Sequence, residues 1–288
     1  MDEVRQALRI CPPEVQQTVL RLPYAADVEE IRLRCGQTVF VTVRGKEQRL
    51  PSAPVAAECL EGVIARATGH AVFSAQHMLK YGFVTIPGGH RLGICGTAVY
   101  QGSELVGFQE LSSVNLRVAR QIKGIASKTA DALWLHPRST LVIGAPGVGK
   151  TTLLRDLIRQ LSDRFSFRIG VADERMELGA CCGGVPQFDL GRHADVLSGV
   201  KKEAAVELLL RTMSPEWIAV DEITAAEDID AMVRGSYCGV SFIATAHAGS
   251  REELGRRELY QKLLSCGVFQ NLVTIRRDRS VMTERMSI

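Results

Sequence analysis

The sequence predicts an α/β protein in two parts. An N-terminal α+β region is expected over residues 1–118, a linker helix over 119–137, and a larger α/β region with a parallel sheet over 138–288. Three observations predict this. From Thr140 onward, short apolar runs alternate with stretches of helical spacing, the pattern of strands joined by crossover helices. Before residue 118, apolar runs are separated by Gly-rich turns, as in antiparallel hairpins. Between the two lies Gln121 to Leu135, a helical pattern closed by His136-Pro137, because proline disfavours helix in the residue before it.

In chain order, residues 3–21 read as a short helix interrupted by Cys11-Pro12-Pro13. Val28 to Leu33 and Thr38 to Val43 read as strands, with Arg44-Gly45-Lys46 as a turn. Ala53 to Thr68 carries Val55, Leu60, Val63 and Ile64 at helical spacing. Tyr81 to Ile86 and Arg91 to Val99 form a hairpin about Pro87-Gly88-Gly89, and Ser113 to Val118 is a further strand. In the second part, strands are expected at 140–144, 167–172, 217–221 and 240–246. Helices are expected at 150–162, 201–213, 225–236 and 251–265. Val268 to Arg276 and Arg279 to Met286 read as a terminal pair of strands. A long loop runs from Gly179 to Gly199.

The most informative stretch is Gly144-Ala145-Pro146-Gly147-Val148-Gly149-Lys150-Thr151, followed by Thr152. It fits G-x-x-x-x-G-K-[ST] and stands between an apolar strand and a helix, the context of a phosphate-binding P-loop. Glycines let backbone N–H groups converge on a phosphate without a Cβ clash. The helix N-terminus adds partial positive charge. Lys150 is placed for the β- and γ-phosphates of ATP, and Thr151 for Mg²⁺.

Trp217-Ile218-Ala219-Val220-Asp221-Glu222 is an apolar strand ending in two acids. Asp221 is the expected Mg²⁺ residue and Glu222 a candidate for activating water. Ile169 to Glu177 is another strand ending in acids. Its end is expected beside the P-loop strand, since ligands gather at the carboxyl ends of strands in open α/β sheets. Glu174 is thus a second candidate for water activation, with helix capping or ion pairing as its structural alternative. Thr245 or His247, at the end of another strand, is placed to sense a γ-phosphate by hydrogen bond, with a structural role as the alternative for the histidine. Arg91 and Arg117 are either ordinary surface arginines or groups that reach a nucleotide held by the other domain or by a neighbouring subunit. Arg276, Arg277 and Arg279 read as a solvated face, with a phosphate or lipid-headgroup contact as the alternative.

Composition narrows the class. The 288 residues are 46% hydrophobic, enough for packed cores and against disorder. The formal net charge of +3 and the 6% aromatic content give no basic stripe or stacking platform for nucleic acid. No apolar run reaches the length of a membrane span, and Met1-Asp2-Glu3-Val4-Arg5 does not begin a signal peptide. The eight cysteines include no C-x-x-C pair, and the adjacent Cys181-Cys182 suit a shared metal poorly, so a reduced cytoplasmic protein is expected.

Four segments together, GAPGVGKTT (144–152), VADERMEL (171–178), SPEWIAVDEI (214–223) and IATAHAG (243–249), resemble the boxes of the type II/IV secretion ATPases: Walker A, Asp box, Walker B and His box. With YGFVTIPGGHRLGICG (81–96), SSVNLRVAR (112–120) and LRTMSPE (210–216), the resemblance is closer to the stage III sporulation protein AA family. It implies a RecA/AAA-like P-loop ATPase that binds ATP and Mg²⁺ and assembles as a homo-oligomeric ring, a hexamer. It further implies a peripheral membrane association, in the mother cell, with channel proteins of the sporulation apparatus. By this resemblance Lys150 and Thr151 match the Walker A residues, Glu174 the acidic box, Asp221 and Glu222 the Walker B acids, and His247 the His box. Arg91 and Arg117 match the N-terminal arginines more loosely. The chain departs in reading Asp-Glu-Arg where Glu-Asp is usual and Asp-Glu where Gly-Glu is frequent, which leaves the choice between Glu174 and Glu222 open. It also lacks the tetra-cysteine zinc insert of some type II members. Two other functions use the same residues: a nucleotide-dependent scaffold or gate with little turnover, and a nucleic-acid-dependent ATPase.

Overall fold

A computed structural model describes residues 1–69 and 81–286 and divides the chain into two compact units. The first comprises Met1–Arg120 together with Ala180–Gln187. The second comprises Gln121–Gly179 and the chain from Phe188 onward.

The first unit is built on an antiparallel sheet of six strands, β1 (Val28–Arg34), β2 (Phe40–Val43), β3 (Lys46–Arg49), β4 (Phe83–Ile86), β5 (His90–Gln101) and β6 (Glu104–Arg117). Their order across the sheet is β3-β2-β1-β6-β5-β4. Strict alternation explains why one face is covered. Ile31 and Leu33 of β1, Leu92 and Ile94 of β5, and Val114 and Leu116 of β6 are buried. They pack against Leu8 of α1 (Asp2–Leu8), Val19 of α2 (Pro13–Leu20), and Leu60 and Val63 of α3 (Ala57–Ala67). The intervening positions, Glu30, Arg32, Arg91, Asn115 and Arg117, form the opposite, polar face. Two strands exceed the expectation. β3 carries Lys-Glu-Gln-Arg and has no apolar signal, and β6 begins nine residues before Ser113, forming a hairpin arm with the end of β5. Residues 70–80, just before the expected Tyr81 strand start, lie outside the described residues.

The second unit holds a sheet in the order β13-β12-β7-β11-β10-β8-β9. Its strands are β7 (Thr140–Gly144), β8 (Ile169–Asp173), β9 (Ala194–Ser198), β10 (Trp217–Val220), β11 (Ser241–His247), β12 (Asn271–Ile275) and β13 (Val281–Arg285). All pairings are parallel except β12 with β13. The central strands β7, β8 and β10 are buried throughout, which is why they read as continuous apolar runs. Helices α4 (Ser127–Leu135), α5 (Lys150–Phe165), α6 (Lys202–Thr212), α7 (Ala226–Tyr237), α8 (Arg251–Leu254) and α9 (Glu258–Ser265) complete the unit.

Four expectations change. The linker helix starts at Ser127, not near residue 119, because Gly124 stands at φ 87° and the chain before it is irregular. The helix expected over 251–265 breaks in two at Gly255-Arg256-Arg257. The Gly179–Gly199 loop is not all loop: β9 lies within it on the sheet edge, and residues 180–187 belong to the first unit. Finally, β8 does not lie beside the P-loop strand. β7 is flanked by β12 and β11, and β10 takes the place next to β8.

Candidate nucleotide site

Strand β7 runs straight into the P-loop. A Cβ on Gly144 would meet Val148 Cγ2 at 2.7 Å and the Ile275 carbonyl oxygen at 2.9 Å, so close strand packing admits only glycine there. Gly147 and Gly149 stand at φ 76° and 106°, the left-handed region that lets the loop curl its amides inward at the start of α5.

Parallel register then brings the functional side chains to one sheet edge. His247, last in β11, is opposite Gly144. Lys150 Nζ donates to the carbonyls of Gly144 (2.8 Å) and Ala145 (3.1 Å) and faces His247 Nδ1 at 2.9 Å. An ammonium only donates, so His247 Nδ1 accepts and its proton sits on Nε2. Nε2 faces Glu222 Oε1 at 2.9 Å. Glu222 Oε2 in turn accepts from Arg175 at 2.5 Å. Lys150, His247, Glu222 and Arg175 thus form one chain of contacts across four segments. Burial pulls the Lys150 ammonium below its ordinary pKa, while Glu222 and Asp221 oppose that fall.

Asp221 follows β10 and is buried. Its Oδ2 accepts from the Thr151 hydroxyl at 3.0 Å and its Oδ1 from the Thr245 hydroxyl at 2.7 Å. Burial raises its pKa and the two hydroxyls lower it. Thr245 also accepts the Glu222 N–H at 2.8 Å, which holds Glu222 in a left-handed backbone (φ 53°) that a non-glycine residue adopts at a cost of about 1 kcal/mol. Thr245 is fully buried and joins the two acidic residues, donating to the Asp221 carboxylate and accepting the Glu222 N–H. The Thr151 hydroxyl and Asp221 carboxylate are hard oxygen donors within bonding reach of each other, a set that fits Mg²⁺ shared with phosphate oxygens. Among the described residues no group of three or more His, Cys, Asp or Glu could hold a metal on its own.

Glu174 follows β8, the neighbour of β10. Its carboxylate pairs with Lys202 Nζ at 2.5 Å, and Lys202, itself buried, lies 3.8 Å from Asp228. This is the ion pair that the sequence offered as the structural role of Glu174. Asp173, just before it, is a structural hub. Its carboxylate accepts the N–H groups of Glu177, Leu178 and Gly179 and so curls the segment that carries Glu174 and Arg175. Arg155 of α5 ties the same segment down through the carbonyls of Leu178 (3.0 Å) and Glu177 (2.7 Å). Arg155, Arg175 and Lys202 are absent from the sequence-derived set. Arg175 and Lys202 meet partners on segments distant in the chain, and only the strand order reveals those meetings.

In the first unit, Arg91 and Arg117 stand directly opposite each other on β5 and β6, on the polar face. The Arg91 guanidinium lies 4.2 Å from the centre of the Phe83 ring, and Arg117 Nε is 3.4 Å from Glu30 Oε1.

The sequence profile of the family described as sporulation stage III, protein AA, matches residues 2–283. The chain belongs to that family. Stage III sporulation protein AA of Bacillus subtilis (strain 168) is 34% identical over 287 residues, covering 96% of this chain and 91% of the relative. Family membership thus covers both units. Among solved structures, the ATPase DotB of Legionella pneumophila aligns with a TM-score of 0.59 at 18% identity, over 93% of this chain and 78% of that one. The pilus retraction motor PilT, solved with bound ADP, aligns with a TM-score of 0.60 at 15% identity, over 91% of this chain and 76% of that one. At these identities the likeness is one of fold: this family member shares the architecture of the ATPase DotB and of the pilus retraction motor PilT. Among the described residues no helix is long and apolar enough to cross a membrane.

Proposed function

We propose that the protein is a Mg²⁺-dependent ATPase of the secretion type. In this reading it works as a hexameric ring on the cytoplasmic, mother-cell side of the membrane, at the base of the sporulation channel to the forespore. The observation that carries the proposal is the Lys150–His247–Glu222 chain beside a P-loop of complete sequence. Among the described residues, every bond that Lys150 Nζ makes is to the P-loop carbonyls or to His247, so a bound phosphate has to draw it from those acceptors. That movement removes the partner of His247 Nδ1 and changes the hold of His247 on Glu222. The two acids then divide their work. Asp221 and Thr151 would hold Mg²⁺, which supplies neutralisation of phosphate charge when bound. Glu222, hydrogen-bonded to His247 and one residue from Asp221, is assigned as the general base, and Glu174, paired with Lys202, orients the segment behind it. Arg91 and Arg117 are assigned to phosphate charge from the N-terminal unit of the same or a neighbouring subunit.

The Arg175 contact favours a second aspect. The Arg175 guanidinium occupies Glu222 Oε2, so that oxygen is not open to a water while the contact stands, and turnover by the isolated chain should be low until Arg175 is drawn off, as in a gate awaiting its membrane partner. Phosphate release by the purified chain with Mg²⁺ and ATP tests both. Glu222→Gln should lower turnover by roughly 10²–10⁴ with nucleotide binding kept. A Lys150→Ala chain that hydrolyses ATP at the wild-type rate would sink the proposal.

A further inference from the structure

The P-loop continues into a cleft of about 310 Å³ within the second unit. Besides Gly147, Val148 and Gly149 it is lined by Ile122 and Ile125 from the segment before α4, and by Ile275, Arg279 and Val281 around the β12–β13 turn. The volume is at the lower end of small-molecule sites, the size of a nucleoside and too small for a larger cofactor. Three features mark it as built for a ligand. Ile122, Ile125 and Val281 are 54%, 44% and 41% exposed, aliphatic side chains left open to water around one hollow. Both contributing segments are fastened. The Ala126 N–H donates to the buried Asp156 carboxylate at 2.8 Å, and Asp278 accepts the Ser280 N–H at 2.9 Å and its hydroxyl at 2.7 Å. Arg279 itself is held in a left-handed backbone at φ 65°, a conformation in which glycine or asparagine would cost less. Among the described residues no acid pairs with its guanidinium, so a cation is presented to an apolar slot adjoining the phosphate loop.

We infer that this cleft takes the base and sugar of the nucleotide, with Arg279 against the face of the ring, and that it accepts adenine and guanine alike. The inference rests on the P-loop reading above and adds the recognition of the base. Its physical ground is the lining. Adenine and guanine differ at their edges, where one donates and the other accepts. A site that tells them apart fixes a hydrogen-bonding group at that edge, a side-chain carboxylate, amide or imidazole or a backbone N–H or C=O. The side chains that line this cleft are aliphatic groups, a guanidinium, which interacts with the π-face of either ring, and the Thr152 hydroxyl, which both donates and accepts, so none of them fixes one edge pattern. Apolar slots discriminate poorly, whereas sites built to hydrogen-bond an edge discriminate by orders of magnitude.

The test is calorimetric titration of the full chain, with Mg²⁺, by the non-hydrolysable imido analogues of ATP and GTP and by inorganic tripolyphosphate. The expected affinities for the two nucleotides agree to within about tenfold. Arg279→Ala and Ile125→Asp should each weaken both nucleotides by about fivefold or more and leave tripolyphosphate binding in place, which also shows that the variants are folded. A preference of more than about tenfold for one base would overturn the inference. So would unchanged nucleotide affinity in both variants when Lys150→Ala abolishes binding, a result that leaves the P-loop reading standing. Nucleotide binding that survives Lys150→Ala would instead strike the P-loop reading itself.

Discussion

Replacing Thr245 by valine removes one hydroxyl and little else, and the structure gives that hydroxyl two tasks. It donates to Asp221 Oδ1 at 2.7 Å and accepts the Glu222 N–H at 2.8 Å, in a residue with no exposed surface. A hydrogen bond to a charged acceptor contributes about 1.5–3 kcal/mol, and a buried N–H left without a partner costs about 1–3 kcal/mol. The second unit of Thr245→Val should therefore be less stable by about 2–4 kcal/mol, allowing for some relaxation around the valine. Thr245→Ser keeps the hydroxyl and gives up one methyl, about 1 kcal/mol. Both tryptophans, Trp134 and the buried Trp217, lie in the second unit, so urea unfolding followed by tryptophan fluorescence reports on it selectively. The expected order is wild type, Ser, then Val, with unchanged denaturant slopes. The valine variant should also lose turnover beyond its loss of stability, because the left-handed Glu222 is no longer held. Equal stability of the serine and valine variants would refute the reasoning.

Three further outcomes follow from the same contacts. Lys202→Met removes the cation that Glu174 and the buried Asp228 share, and should destabilise the second unit by about 2–4 kcal/mol in the same urea assay, less than for a wholly buried pair because Glu174 is partly exposed. Gly144→Ala forces a Cβ against the Ile275 carbonyl and Val148, so a loss of about 1–3 kcal/mol is expected, together with weaker binding of the ATP analogue in calorimetry. The third concerns His90, buried with Nδ1 accepting the Ala119 N–H at 3.0 Å, whose pKa burial pushes down from 6.5 to about 4. With the folded value the lower one, its contribution is fully present above pH 6.5 and is lost as the pH falls through about 4. At about 1.4 kcal/mol for each pH unit between the two values, the loss approaches about 3 kcal/mol. Native-state hydrogen exchange of the β5 and β6 amides should show that fall, and His90→Asn should flatten it over the same pH window.

The parts legible in the sequence were those whose cause is local. A phosphate loop needs glycines at fixed positions, so its residue types announce it, and buried parallel strands must be apolar along their length. Edge strands carry no such requirement. Lys-Glu-Gln-Arg in β3 and Ala-Asp-Val-Leu-Ser in β9 are strands because a neighbour offers backbone partners, and their side chains say little about it. Gly124 at φ 87° keeps the helix from starting before Ser127, although apolar residues stand on either side of it at helical spacing. Strand order is the deepest loss. The sequence reading sets β8 next to β7, whereas β11 and β10 lie between them, and the Glu174 carboxylate meets Lys202, a partner only this order reveals. The same order sets Arg175 against Glu222 and Thr245 against Asp221. A motif thus names the residues that a nucleotide would touch, while the residues that aim them are chosen by topology. Thr245 shows the distinction within one box. Its place at a strand end made it a candidate for touching phosphate, and its buried bonds to two acids make it the residue that holds the candidate base in place.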